Sequence, residues 1–243
     1  MFPIQEREEV MDYTELKKLM SEQKVEMTAA ERIKAYNEGK EVDHIPYTLQ
    51  APDPAMADIF GFTTSQFAKD FEVKSEVIRR RKEEFGLDSF NVGLGLRTIG
   101  VALGSKLGVP EHGIDYIEHH VLQDYADFEV TDPYKNPVLA PILESAKRLK
   151  ERFPDVSMTT SVAGPISTAI AVRPVEKVLR DTRKNPEMLH KLLDLTVVCS
   201  LKWFEAFYHE FGSVGTNFSD PVTCMDVISK KQFDEFSLPY IKK

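Results

Sequence analysis

Four short, mostly apolar segments alternate with helical stretches along this chain, and that alternation limits the fold more than any other feature. The segments are "IPYTLQ" at 45–50, "SFNVGLGL" at 89–96, "VSMTTSVAG" at 156–164 and "GTNFS" at 215–219. None reads as the strict apolar/polar alternation of a sheet with one wet face, so they are expected as parallel strands covered by helices. An open doubly wound sheet and a (β/α)8 barrel both accommodate the pattern. In either one, chemistry gathers at the carboxyl ends of the strands.

The intervening stretches carry their own punctuation. Thr28 and Glu31 stand at capping-box spacing and Gly39 is placed for a left-handed stop, which predicts a helix between them. Gly86 closes "KSEVIRRRKEEFG", and "PILESAKRLKERF" repeats apolar residues at 142, 143, 146 and 149. Pro174 opens "VEKVLRDTRK" at a position where a missing N–H costs nothing. A long periodic run then ends at Gly212, with Trp203, Phe207 and Phe211 at i, i+4 spacing, as a helix meets its core. The turn-rich connection from 108 to 137 predicts a small hairpin or excursion. Residues 1–27 read as a polar helical extension, leaving 28–243 as the main domain.

Composition excludes several function classes. Acidic residues outnumber basic ones, 39 to 31, and the densest basic block, "RRRK", runs straight into two glutamates, so a nucleic-acid surface is not expected. The first 27 residues lack the apolar core of a secretion signal, and no 18 apolar residues run together, which predicts a cytoplasmic protein off the membrane. Two cysteines, Cys199 and Cys224, lack a C-x-x-C spacing and are expected as small buried residues. The glycines at 93, 95 and 100 miss the dinucleotide-loop spacing and are better explained by close backbone packing. No H-E-x-x-H, H-x-H, H-x-C or G-x-S-x-G occurs, so no metal site is predicted within the chain.

The residues delivered to the strand ends are Gln50 and Asp53, Asn91 and Arg97, Ser161 and Gly164, and Asn217, Ser219 and Asp220. Of these, Gln50, Asn91, Arg97, Asn217 and Ser219 are the candidates for substrate, and Asp220 for catalysis. Arg97 follows an apolar strand, where it either grips an anionic group bidentately or closes a surface ion pair. Asp220 precedes a proline at a strand end, where a carboxylate either caps a turn or faces a pocket.

Several motifs in order, "MTAAERIKAYNEGKEVDHIP", "HHVLQDYADFE", "GPISTAIAV", "DTRKNPEMLHKLLDL" and "SDPVTCMDVISKKQFDEFSLPYIKK", resemble the uroporphyrinogen decarboxylase superfamily over about residues 27–243. That resemblance implies a (β/α)8 barrel of which about the first four β/α units are encoded. It also implies one of two activities: decarboxylation of uroporphyrinogen III, or methyl transfer between a corrinoid protein and a thiol such as coenzyme M with zinc activating the thiolate.

Matched by position, Leu49 and Asp53 replace the decarboxylases' carboxylate-holding arginines, Gly95 replaces their aspartate and Ala171 their tyrosine. The S-D-P at 219–221 is similar to the methyltransferase branch, which implies that Ser219 and Asp220 line the pocket and that Arg97 meets an anionic tail. The family's zinc ligands, an H-x-C and a later cysteine, have no counterpart here. The expectations are therefore a chain truncated from a longer protein, or a half-barrel completed by a second chain or a homo-oligomer. Alone it is expected to hold no metal and to turn over little. A noncatalytic half-barrel interaction module is the reading from outside enzymology.

Overall fold

The computed structural model describes residues 13–22, 24, 26–46, 53–86, 89–111, 114–125, 129–154, 156–212 and 215–243. Two compact units divide it, Met1–Gln50 and Ala51–Lys243. In the first, α1 spans Tyr13–Glu22 and α2 spans Ala29–Asn37. The capping box forms as the spacing predicts: the Glu31 N–H donates to Thr28 Oγ1 at 3.3 Å and the Thr28 N–H to Glu31 Oε2 at 3.0 Å. Gly39 takes φ +68° just beyond the helix. Asp43 accepts from Arg32 Nε at 2.6 Å and from the N–H groups of Met27, Glu26 and His44, and the Arg32 guanidinium holds its carboxyl far below the usual range.

The second unit begins with α3 (Asp53–Ile59), α4 (Thr64–Lys69) and α5 (Phe71–Phe85), the last closed by Gly86 at φ +63°. Then come β1 (Ser89–Asn91), α6 (Thr98–Ala102) and the antiparallel pair β2 (Lys106–Gly108) and β3 (Tyr116–His119). Only β3 lies within the connection where a hairpin was expected; its partner starts two residues before it. The rest is α7 (Leu139–Arg152), β4 (Ser157–Ala163), α8 (Pro165–Val172), α9 (Val175–Lys184), α10 (Pro186–Phe211), β5 (Gly215–Ser219), a 3-10 turn at Pro221–Thr223, α11 (Lys230–Phe236) and α12 (Leu238–Ile241).

Among the described residues, β1, β4 and β5 form one parallel sheet with β4 in the centre. The predicted strand at 45–50 falls mostly outside the described residues; Ile45 and Pro46 are not in a strand. The strand predicted at 89–96 is regular only to Asn91, yet Val92 and Leu94 still donate to the carbonyls of Thr159 and Ser161 at 2.9 and 2.8 Å, so the chain follows β4 to Leu94.

The sheet is two-faced, contrary to the expected absence of alternation. Phe90, Met158 and Val162 are buried against Leu139, Leu143, Ala146 and Leu149 of α7 and Cys199, Trp203 and Phe207 of α10. The α7 residues recur every three or four positions, which aims one stripe at the sheet. Thr160 shares the buried face, and its hydroxyl accepts from Trp203 Nε1 at 2.9 Å and donates to the Val92 carbonyl at 2.8 Å. A second cluster joins Ile166, Ala169 and Val172 of α8 to Val178, Leu189, Leu193 and Phe236. No described helix is long and apolar enough to cross a membrane.

Candidate functional site

Side chains two apart on a strand share a face, and register partners on parallel neighbours stand side by side. Asn91 pairs with Thr159, Ser161 with Asn217, and Ala163 with Ser219. Asn91, Thr159, Ser161, Asn217 and Ser219 therefore occupy the face opposite the core, where Asn91, Asn217 and Ser219 are exposed and Thr159 and Ser161 half-buried.

The group is linked across strands. Asn91 Nδ2 donates to Thr159 Oγ1 at 2.9 Å, and Ser161 Oγ donates to Asn91 Oδ1 at 3.0 Å. Glycine keeps the space around this bridge clear, because a Cβ on Gly93 would lie 2.1 Å from Ser161 Oγ and 2.4 Å from Asn91 Oδ1. Gly100 packs likewise, its missing Cβ leaving room for Ala171 at 2.6 Å. Close approach is thus the reason for Gly93 and Gly100, but not for Gly95, a correction to the expectation: a Cβ there would meet nothing within 4 Å, and its φ of +57° is the left-handed conformation that favours glycine. Ala171 belongs to a buried helix contact rather than to the polar face.

Asp220 turns away from that face. Its Oδ1 accepts from the Ser167 N–H at 2.8 Å and from Ser167 Oγ at 2.6 Å, and its Oδ2 from the Ile166 N–H at 3.2 Å. These are first-turn donors of α8, groups that no intrahelical acceptor satisfies. Burial nonetheless pushes the carboxyl above its ordinary pKa, against the pull of the Ser167 and Ile166 hydrogen bonds. A carboxylate just after β5 thus caps the first turn of a helix, accepting from an N–H 54 residues earlier in the chain.

Arg97 begins α6 and pairs through Nη1 with Asp115 Oδ1 at 3.0 Å, both side chains partly exposed. Gln50 lies outside the described residues, as do the side-chain surroundings of Asp53. Of the predicted site residues, the sheet brings together Asn91, Asn217 and Ser219, while Arg97 and Asp220 are each engaged with another partner. Thr159 and Ser167 were not among the predicted site residues. The alternation of polar 157, 159 and 161 with apolar 158 and 162 signals Thr159, whereas nothing local signals Ser167. A groove of about 680 Å³ lined by Thr131, Tyr134, Lys202 and His209 includes none of these side chains.

The cysteines diverge. Cys199 is sealed in the core, but Cys224 is exposed, a correction to the expectation that both are buried. It follows the 3-10 turn after β5, on no element that has a core face. Among the described residues no group of three or more His, Cys, Asp or Glu side chains can hold a metal ion. They do not fit the zinc that the resemblance implies.

The family profile of uroporphyrinogen decarboxylase (URO-D) matches residues 28–243. The chain belongs to the uroporphyrinogen decarboxylase family. Within that family its likeness runs to the methyltransferase branch. Two curated relatives, both methylcobamide:CoM methyltransferases MtaA, come from Methanosarcina barkeri, one of them from strain Fusaro / DSM 804. Each is 22% identical over 225 residues, which is 90% of this chain and 66% of the relative. The chain thus spans just under two thirds of the length of the curated relatives it matches. A solved methyltransferase from Methanosarcina mazei superposes with a TM-score of 0.74 at 21% identity, covering 89% of this chain and 66% of that one. The shared fold of this uroporphyrinogen decarboxylase family member is therefore α/β with a parallel sheet.

Proposed function

We propose that this chain supplies substrate-binding residues of a methyltransferase that moves a methyl group between a corrinoid, carried by a partner protein, and a small thiol such as coenzyme M. The observation that carries the reading is the likeness to two methylcobamide:CoM methyltransferases over 90% of the chain. The polar face of the sheet supports it. Asn91, Asn217 and Ser219 are the substrate contacts in this reading, and their carboxamides and hydroxyl orient a bound molecule by directional hydrogen bonds.

Arg97 is the group for an anionic tail. Its ion pair with Asp115 is partly exposed, and such pairs contribute only about 0–1 kcal/mol, so a ligand anion competes for it readily. Asp220 acts at one remove, by fixing the first turn of α8 at the end of β4. The barrel completed by further strands, and Gln50 as a fifth substrate-binding residue, belong to the same reading.

The test is binding of coenzyme M and of uroporphyrinogen III to the purified chain by titration calorimetry. Saturable binding of coenzyme M, weakened several-fold by Arg97→Ala, is the expected result. Binding and decarboxylation of uroporphyrinogen III with no binding of the thiol would overturn it in favour of the decarboxylase reading.

A further inference from the structure

Exposed cations on this chain commonly meet a carboxylate: Arg79 meets Glu76 and Glu83, Lys106 meets Glu118, Arg152 meets Glu72 and Lys202 meets Glu205. Arg180, Arg183 and Lys184 of α9 and Lys231 of α11 are exposed as well. Among the described residues none of these four side chains forms an ion pair or a hydrogen bond.

The four stand together. Arg180, Arg183 and Lys184, spaced i, i+3 and i+4, share one side of α9. Gln232 Nε2 donates to Thr182 Oγ1 at 2.8 Å, which sets the start of α11 against the end of α9. Lys231 and Arg183, each next in sequence to that contact, therefore stand on adjoining helices. Carboxylates that could neutralise the group are engaged elsewhere: Asp181 is held in the core by Arg173, Asp234 by Lys230 and Glu187 by Lys191. Glu176 and Glu235, one turn from Arg180 and Lys231, are exposed and form no ion pair among the described residues.

Local structure accounts for only part of this charge. Arg183 and Lys184 lie in the last turn of α9, where the helix dipole favours a cation. Arg180 sits in mid-helix, and Lys231 lies in the first turn of α11, where the same dipole disfavours one. The concentration also runs against a net charge of −8 for the whole chain.

We propose that Arg180, Arg183, Lys184 and Lys231 form a docking surface for a partner protein, which meets it through an acidic patch of its own. Complementary charge steers the encounter and fixes the orientation of the two proteins. Both helices follow the carboxyl ends of strands, α9 by way of α8 after β4 and α11 after β5, the end of a β/α fold at which chemistry gathers. A nucleic acid fits less well, because tracking its backbone takes a longer run of cations and the chain's net negative charge opposes it. A membrane surface also fits less well, since the exposed residues of α9 include no Trp, Phe or Leu to insert. The inference goes beyond the methyl-transfer reading and holds whichever reaction the strand ends carry out.

The experiment is fluorescence anisotropy of a labelled oligoglutamate peptide titrated with the full chain at low and at physiological salt. The peptide should bind saturably, and more weakly as salt screens the contact. Arg180→Glu, Arg183→Glu and Lys231→Glu combined should weaken binding by at least about tenfold, as the loss of three exposed ion pairs predicts. Lys34→Glu, Lys69→Glu and Lys135→Glu combined make the same change of net charge at exposed lysines elsewhere and should weaken it far less. Arg180→Gln with Lys231→Gln should weaken it several-fold and serves if the charge reversals do not fold. No saturable binding at low salt, or an equal loss in the two triple variants, overturns the docking surface. So does duplex DNA or a phosphatidylglycerol vesicle that binds as tightly as the peptide and is lost with the same variants, which would assign the patch to a nucleic acid or a membrane.

Discussion

Gly164 and Asp220 share a space that only one of them can fill: a Cβ on Gly164 would lie 2.3 Å from the Asp220 Cβ and 2.6 Å from its Oδ2. The backbone of Gly164, at φ −67° and ψ 170°, is open to any residue, so the glycine is there for the contact and not for its conformational freedom. The two residues join the ends of neighbouring strands, and the Gly164 N–H also donates to the Ser219 carbonyl at 2.8 Å. The bridge between β4, β5 and α8 thus depends on one missing methyl group.

Gly164→Ala should therefore destabilise the protein by overpacking, by about 1–3 kcal/mol. Urea denaturation of the single variant and of Gly164→Ala combined with Asp220→Ala checks it. Removing the opposing carboxylate should recover part of the loss, giving the non-additivity expected of residues in contact. Strict additivity would show that the clash is relieved elsewhere.

Asp220 itself makes a pH-dependent prediction. Burial raises its folded pKa above the unfolded value of about 3.9, so its protonated form is favoured in the folded state. Its contribution is fully present below the unfolded pKa and is lost as pH rises through the folded one. Relative to Asp220→Asn, the wild-type chain should lose stability between about pH 4 and the folded pKa. Thermal melts of both proteins at several pH values measure the difference, and a wild-type chain that gains stability relative to Asp220→Asn as pH rises would contradict the sign.

Thr160 is the buried relay between sheet and helix, accepting from Trp203 and donating to Val92. Thr160→Val keeps the volume and leaves the indole N–H and the carbonyl without this hydroxyl. The cost of such an unsatisfied buried group is about 1–3 kcal/mol. Chemical denaturation reads the loss, and an unchanged midpoint would mean that both groups find other partners.

The fold was legible wherever the signal was local. Thr28 and Glu31, Gly39, Gly86 and Gly212 punctuate helices by rules that operate within one turn, and the structure honours each of them. The Trp203–Phe207 stripe is buried because helical spacing alone puts it on one face.

Pairings across the chain were not legible. Asn91 meets Ser161, and Ser167 meets Asp220, at separations of 70 and 53 residues, and no local propensity encodes a partner so distant. Arg97 shows the same limit: ligand and ion pair remained equal alternatives until Asp115, 18 residues on, was seen beside it. Cys224 was misread because burial habit describes a residue type, while its exposure follows from a turn that has no core face.

The buried pair of Arg173 and Asp181 gives the prediction of opposite sign to Asp220. Arg173 Nε donates to Asp181 Oδ2 at 2.8 Å, both side chains being almost wholly buried. The same carboxylate accepts from Tyr125 Oη at 2.9 Å and Asn185 Nδ2 at 2.8 Å. Burial alone would raise the Asp181 pKa, but the hydrogen bonds from Asn185, Tyr125 and Arg173 together bring it below the ordinary value. Its stabilisation is therefore present above the unfolded pKa of about 3.9 and lost as pH falls through the folded one. Asp181→Asn, which strands the guanidinium in the core, should cost about 3–5 kcal/mol at neutral pH, and the deficit should shrink in acid. Denaturation curves at neutral and acid pH test both parts, and a deficit that grows in acid would show that the carboxylate is not the charged partner of Arg173.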